Sequence, residues 1–444
     1  MRAILAVILF AFAALAGCTS SSVPETTSSP VVCSSARVGD GTAALSSWDT
    51  APTAANPQPK SVTRLEFVAR LNDSAGVPWP TGSGNQVAGD YVFGSALNHV
   101  FFIADVHDPM HPVLVFNSTG REGKTEYARK ADLMPHPDGT RTLILATGRN
   151  HFGMQFWNVT DPRQPVWLSN VELEGVNNHN LAVVPGTEYV FNAPSSGMGN
   201  GNELIDARDP CHPVVVGKFG IYGCHGITFH GTLGQPKFRA YCAGVQATEI
   251  WSLDGFDPAK PNFGITVLAT VDKTANPLIG TRGLHHYAGS NAAGTVLIIG
   301  DEYSGGGQPG ACFAYEPTTG LATPLGALWF YDVANEASPV LKGWISPPTM
   351  RPQDEPVPQV PTEPDETPGA GCTAHFGTLV PGEEKFVIAW YNAGVLLIDF
   401  TEPSHPAILS QYRAPGINTW NARVWNGYVF TGDIGRGMDV LKLA

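Results

Sequence analysis

An all-β fold, a seven-bladed β-propeller, is predicted by three observations. A short phrase recurs six times: an apolar run ending in Asp or Asn, then a turn of the form Asp-Pro-x-x-Pro. The final prolines of the copies lie 53, 48, 48, 78 and 67 residues apart, and repeats of this period built from short strands and Pro/Gly turns mark propellers. A strand-like run before the first repeat, Val62 to Val68, matches a strand missing after the last one.

The copies are read in chain order. Phe101-Phe102-Ile103-Ala104-Asp105 leads into Asp108-Pro109-Met110-His111-Pro112, and Phe156-Trp157-Asn158 into Asp161-Pro162-Arg163-Gln164-Pro165. Leu204-Ile205-Asp206 leads into Asp209-Pro210-Cys211-His212-Pro213. Looser copies end at Pro261 and Pro339, and a good one runs from Glu402 to Pro406. In the Asp-Pro copies, Asp caps the turn backbone while Pro fixes φ and ends strand pairing. First strands, which line the channel, start near Asn85, Ala131, His179, His225, His286, His375 and Asn421. The last blade stops at Met438 to Leu443 with no Pro turn, so the N-terminal strand completes it and removes an exposed edge.

Residues 1–17 read as a lipoprotein signal peptide: Arg2, an apolar run from Ala3 to Ala16, then Leu15-Ala16-Gly17-Cys18. The last four residues resemble a bacterial lipobox with Cys18 as the lipidated residue; an ordinary cleavage site with a nearby Cys is the alternative. Residues 18–60 form a Ser/Thr-rich tether and N-terminal segment, and 61–444 the propeller, with insertions near 303–325 and 347–370. Pro347 to Gly369 holds eight prolines and five acidic residues, too little apolar content for a hidden domain. The expected location is the bacterial envelope, with membrane contact only through the lipid. A net charge of −13 without a basic run excludes a nucleic-acid role.

Six cysteines remain after Cys18, an even number that suits an exported chain. In the blade register Cys224 and Cys242 oppose one another in a hairpin, Cys312 and Cys372 both reach the top face, and Cys33 is left with Cys211 at the bottom. The tether then enters from below, and the top face points away from the membrane.

Four successive first strands begin with histidine: His179, His225, His286 and His375, with His285 as the register-ambiguous neighbour of His286. Equivalent positions in a propeller converge on the axis. Second-strand ends bring Asp301, Glu302, Tyr391, Asn392, Asp433 and Arg436 to the same face. Imidazole suits Zn, Cu or Fe, so the four histidines are candidate ligands for one transition metal. Glu302, Asp433 and Arg436 are candidate catalytic groups, and Asp301, Glu302, Tyr391 and Asn392 candidate ligand-binding groups. The competing reading is structural, each histidine bonding a neighbouring blade's backbone. Blades one, two and seven lack the residue, which a contact needed by every blade would not. Gly-x-Ser-x-Gly is absent, and the glycines of 304–310 lack a phosphate loop's Lys.

The phrases Val395-Leu396-Leu397-Ile398-Asp399 and Glu203-Leu204-Ile205-Asp206, each followed by its Pro turn, resemble the LVIVD repeat of bacterial secreted propellers. Cys372-Thr373-Ala374-His375-Phe376-Gly377, Ala389 to Gly394 and Gly435 to Val440 are similar to an exported subgroup. The resemblance implies a propeller in the envelope and no settled activity. A distant architectural similarity links the clustered histidines to His-lined metal propellers such as selenium-binding protein and methanethiol oxidase. Two functions are expected from this: a module binding a small ligand or an envelope protein through a His-rich top-face cleft, or a metal-dependent oxidoreductase or hydrolase.

Overall fold

The computed structural model describes Cys33 and residues 61–71, 82–96, 100–118, 127–147, 153–173, 178–199, 201–273, 283–303, 313–315, 322–324, 326–347, 371–434 and 436–444. The signal and lipobox residues, Cys18, Cys312 and most of the two insertions lie outside them.

Seven four-stranded antiparallel sheets follow one another along the chain. Their innermost strands are Gly82–Ala88, Lys130–Pro135, Asn180–Val183, Gly226–His230, Gly283–Ser290, Gly377–Leu379 and Thr419–Trp425, the first strands of blades one to seven. The seventh blade takes Asp439–Leu443 as its third strand and Leu65–Arg70 as its fourth, in the register Leu65↔Leu443 to Arg70↔Asp439. The closing strand thus joins both ends of the propeller and leaves no open sheet edge at the seam.

The core is divided. Seven apolar clusters each lie between two neighbouring blades, one per interface. A blade is therefore covered on both faces, which explains why the third strands are continuous apolar runs rather than alternating ones. Phe101, Phe102, Ile103 and Ala104 are all fully buried. Outer strands lack this cover, and Val214, Val215 and Val216 are exposed.

The repeated phrase works as a paired turn. Asp105, Asn158, Asp206, Asp332 and Asp399 each accept the backbone N–H two residues on. The next acid or amide does the same: Asp108, Asp161, Asp209, Asp257 and Asn335. In blades one to six the third and outer strands slip register by one residue just ahead of this turn. Such bulges increase local twist, as wedge-shaped packing around an axis requires.

Cys33–Cys211 and Cys224–Cys242 are disulfides, with Cα separations of 5.9 and 5.4 Å. Cys242 pairs with Ile227 in the ladder, so Cys224 reaches it from just before the first strand rather than from directly opposite. Cys372 is also disulfide-bonded; Cys312, its expected partner, lies outside the described residues. Two disulfides fit an oxidising, exported environment.

Candidate metal centre

The four histidines form a row. Imidazole centroids are 4.2 Å apart for His179 and His225, 4.1 Å for His225 and His286, and 4.1 Å for His286 and His375. His179 is partly exposed, and the other three are buried. Two local devices of the backbone build the row.

The first is a bulge. In blade five His285 pairs with Asp301 and Tyr287 with Gly300, so His286 is the extra residue. A bulge re-aims the side chain it carries, and it resolves the ambiguity between the two histidines. His285 bonds Thr248 through Nδ1 at 2.9 Å, while His286 joins the row. Blade seven repeats the bulge between Thr419 and Asn421, where Trp420 stands in the place of His286. Its ring lies 5.2 Å from that of His375.

The second is a left-handed residue beyond a second strand. Ser195, Val245 and Tyr391 have φ of 54°, 67° and 41°, each two residues past the strand's last alanine. A non-glycine residue there costs about 1–3 kcal/mol and clusters at functional sites. Each bonds the residue just ahead of the row position in the next blade. The Ser195 N–H donates to the Cys224 carbonyl at 2.8 Å, Val245 and His285 exchange backbone bonds of 3.2 and 3.0 Å, and Tyr391 and Thr419 do so at 3.0 and 3.1 Å. The row positions of blades four, five and seven are thus held from outside. Gly226, after His225, is required by close approach, since a Cβ there would lie 2.8 Å from the His286 carbonyl oxygen.

The hydrogen bonds aim the ring nitrogens. His375 Nδ1–H donates to the Trp420 carbonyl, leaving Nε2 as the lone-pair nitrogen, 3.9 Å from Glu302 Oε1. His225 Nδ1 shares a 2.5 Å hydrogen bond with the Ser195 hydroxyl, while its Nε2 faces His179 Nε2 at 3.1 Å. Tetrahedral ligands at zinc bond lengths stand about 3.3 Å apart. An outer partner on one imidazole nitrogen is the usual support of a ligating histidine. His286 has no hydrogen bond on either nitrogen among the described residues, though it is fully buried. A polar group so placed costs about 1–3 kcal/mol unless something else satisfies it.

Burial lowers the pKa of all three inner histidines: those of His225 and His286 well below the usual imidazole value, and that of His375 to about 3. Neighbouring charge adds to the effect, from His375 and Arg129 on His225, from the other three histidines and Lys130 on His286, and from Lys130 and Arg129 on His375, where the hydrogen bond to Trp420 opposes it. The rings are therefore neutral at pH 7, the form that ligates. Glu302 brings its Oε2 to 3.7 Å from His286 Nε2. His225, His286 and Glu302 offer ligand atoms all within 4.8 Å of one another, a buried group that can hold a metal.

The other predicted groups divide. The Tyr391 hydroxyl hydrogen-bonds Glu302 Oε1 and stands in direct support of the centre. Asp301 is buried beside Gly283, with its pKa raised well above the usual value by burial, and pairs with His285 instead of reaching the row. Asp433 accepts from the Thr419 hydroxyl and the Asn418 amide, both at 2.9 Å, and so shapes the start of blade seven. Arg436 belongs elsewhere: Nε donates to Asp439 at 2.9 Å and Nη1 to the Pro415 carbonyl, contacts that include no member of the row. The Asn392 carbonyl accepts from Arg413. Sequence reasoning missed Ser195, Phe376 and Trp420. Trp420 alone had a signal, one position before the predicted strand start at Asn421.

No family model matches the chain, and no curated protein does. Among solved structures it is similar to the β-propeller domain of Cps50 (Swd1) from Myceliophteria thermophila, at 9% identity and a TM-score of 0.51, covering 83% of this chain and 98% of that one. It is similar to Sqt1 from Saccharomyces cerevisiae, at 11% and 0.50, covering 82% and 83%. It is also similar to Raptor from Chaetomium thermophilum, at 9% and 0.53, covering 86% of this chain and 30% of that one. At these identities the likeness is one of fold: the chain is a seven-bladed β-propeller.

Proposed function

We propose that this propeller is a metal-dependent protein of the bacterial envelope, an oxidoreductase or hydrolase in which His225, His286 and Glu302 hold one transition metal, Zn, Cu or Fe, flanked by His179 and His375. The observation that carries this is His286, a fully buried imidazole with neither nitrogen hydrogen-bonded among the described residues, set between two tilted histidine rings and facing a carboxylate. Three protein ligands are the donor set of a catalytic metal with an open position, where the ion acts as a Lewis acid or redox centre. Tyr391 orients Glu302 and holds a proton at its phenol oxygen beside the carboxylate. The lipobox ending at Cys18 and the LVIVD-like repeats support a lipid-anchored location, with the disulfides suited to it.

The test is elemental analysis of protein purified without chelator, beside His225→Ala/His286→Ala. The expected result is about one Zn, Cu or Fe per chain in the wild type and a loss of most of it in the variant, with circular dichroism unchanged. A metal-free wild type would end the metal reading and leave a propeller that binds a small ligand or an envelope protein, the general role its fold supports.

A further inference from the structure

The seam that closes the ring also builds a cleft. Arg70 of the seam strand pairs with Asp439 of blade seven, and the same strand carries a bulge between Phe67 and Ala69. The extra residue shifts the alternation of side chains along the strand. Phe67 and Arg70, three residues apart, therefore line one cleft of about 580 Å³, with Ala69, Tyr412, Ala414 and Arg436 around them. Tyr412 ends the outer strand of blade six, so the cleft lies between two blades.

One acid turns two guanidinium groups. Arg70 Nε donates to Asp439 Oδ1 at 2.6 Å and Arg436 Nε to Oδ2 at 2.9 Å. The Tyr412 hydroxyl donates to Oδ2 at 3.0 Å, and burial, then the charge of Asp439, raises its pKa, so the phenol keeps its proton. Arg436 spends Nη1 on the Pro415 carbonyl and Nη2 on the Tyr412 oxygen. Arg70 is held through Nε alone. Neither of its Nη groups has a hydrogen bond among the described residues, and its side chain is 30% exposed. Two cations thus share the buried Asp439. The nearby Asp433 bonds Asn418 and Thr419, and Glu66 pairs with Arg64. The apolar side of the cleft is Phe67, half exposed and parallel to the Tyr412 ring at 5.7 Å, with the two alanines.

We infer that this cleft binds a small carboxylate with an apolar body, the carboxylate on the Nη edge of Arg70 and the body against Phe67, Ala69 and Ala414. The fork of a guanidinium matches the two oxygens of a carboxylate, and the volume is that of a small-molecule site. None of its lining residues belongs to the histidine row, so the site stands apart from the metal reading. An occupant touches residues from both ends of the propeller chain, and binding therefore favours the closed ring.

The experiment titrates N-acetylphenylalanine and its neutral amide into the full chain by calorimetry, in wild type, Arg70→Lys and Ala414→Trp. Arg70→Lys keeps a cation for Asp439 and loses the fork. Ala414→Trp fills the cleft and leaves the ion pairs in place. Wild type is expected to bind the acid at least about tenfold more tightly than the amide, the effect of a hydrogen bond to a charged group. The acid also raises the melting temperature of wild type, and both substitutions weaken its binding at least about tenfold. An acid bound no better than the amide, or an affinity that ignores Ala414→Trp, overturns the inference.

Discussion

Two sets of histidines in this chain share a repeat origin and have opposite surroundings. His111, His212 and His405 sit in the Pro turns with side chains 81%, 69% and 81% exposed, each beside the acid three residues earlier. His225, His286 and His375 sit at the channel end of first strands, buried and held neutral. In the turn the hydrogen bond from His111 pulls Asp108 below the usual carboxylate range. At the centre the rings gain each other. Blade position, not residue type, decides whether a histidine stands exposed beside an acid or lies buried with a lone pair aimed into the protein.

The sharpest way to break this contrast is through the support of the centre. Tyr391→Phe removes the hydrogen bond to Glu302 and keeps the ring. The expected loss is about 10–100-fold in zinc affinity, read by chelator competition, as for other outer-shell partners; an unchanged affinity would separate Glu302 from the metal. The smallest effect belongs to the turns. His111→Ala/His212→Ala leaves metal content unchanged and moves the melting temperature by no more than about 1 °C, as expected of exposed pairs. A loss of metal in that variant would collapse the distinction between the two sets.

Much of the architecture was readable because the repeat is local. The Asp-Pro-x-x-Pro turns and their looser copies follow the third strands of blades one to six, and the seam strand at Leu65–Arg70 was visible as a run without a blade. The histidine row was readable for the same reason, since a residue repeated at one strand position must converge on the axis. Its supports were readable only in part: Glu302 and Tyr391 were placed on the same face, whereas Ser195 and the bond between Tyr391 and Glu302 were not foreseen. Ser195 and Tyr391 reach the centre through left-handed turns, and nothing about a serine or tyrosine in a strand-end sequence announces a positive φ. Arg436, three residues past the strand end at Asp433, turns instead to the buried carboxylate of Asp439.

Period and pattern alone carry the blade count, the closure of the ring and the convergence of histidines from four successive blades on the axis. Folding settles that His286 and not His285 enters the row, and that the Tyr391 hydroxyl meets Glu302 there. Those outcomes depend on single-residue slips and on contacts between blades far apart in the chain, where one bulge reverses the face a side chain occupies.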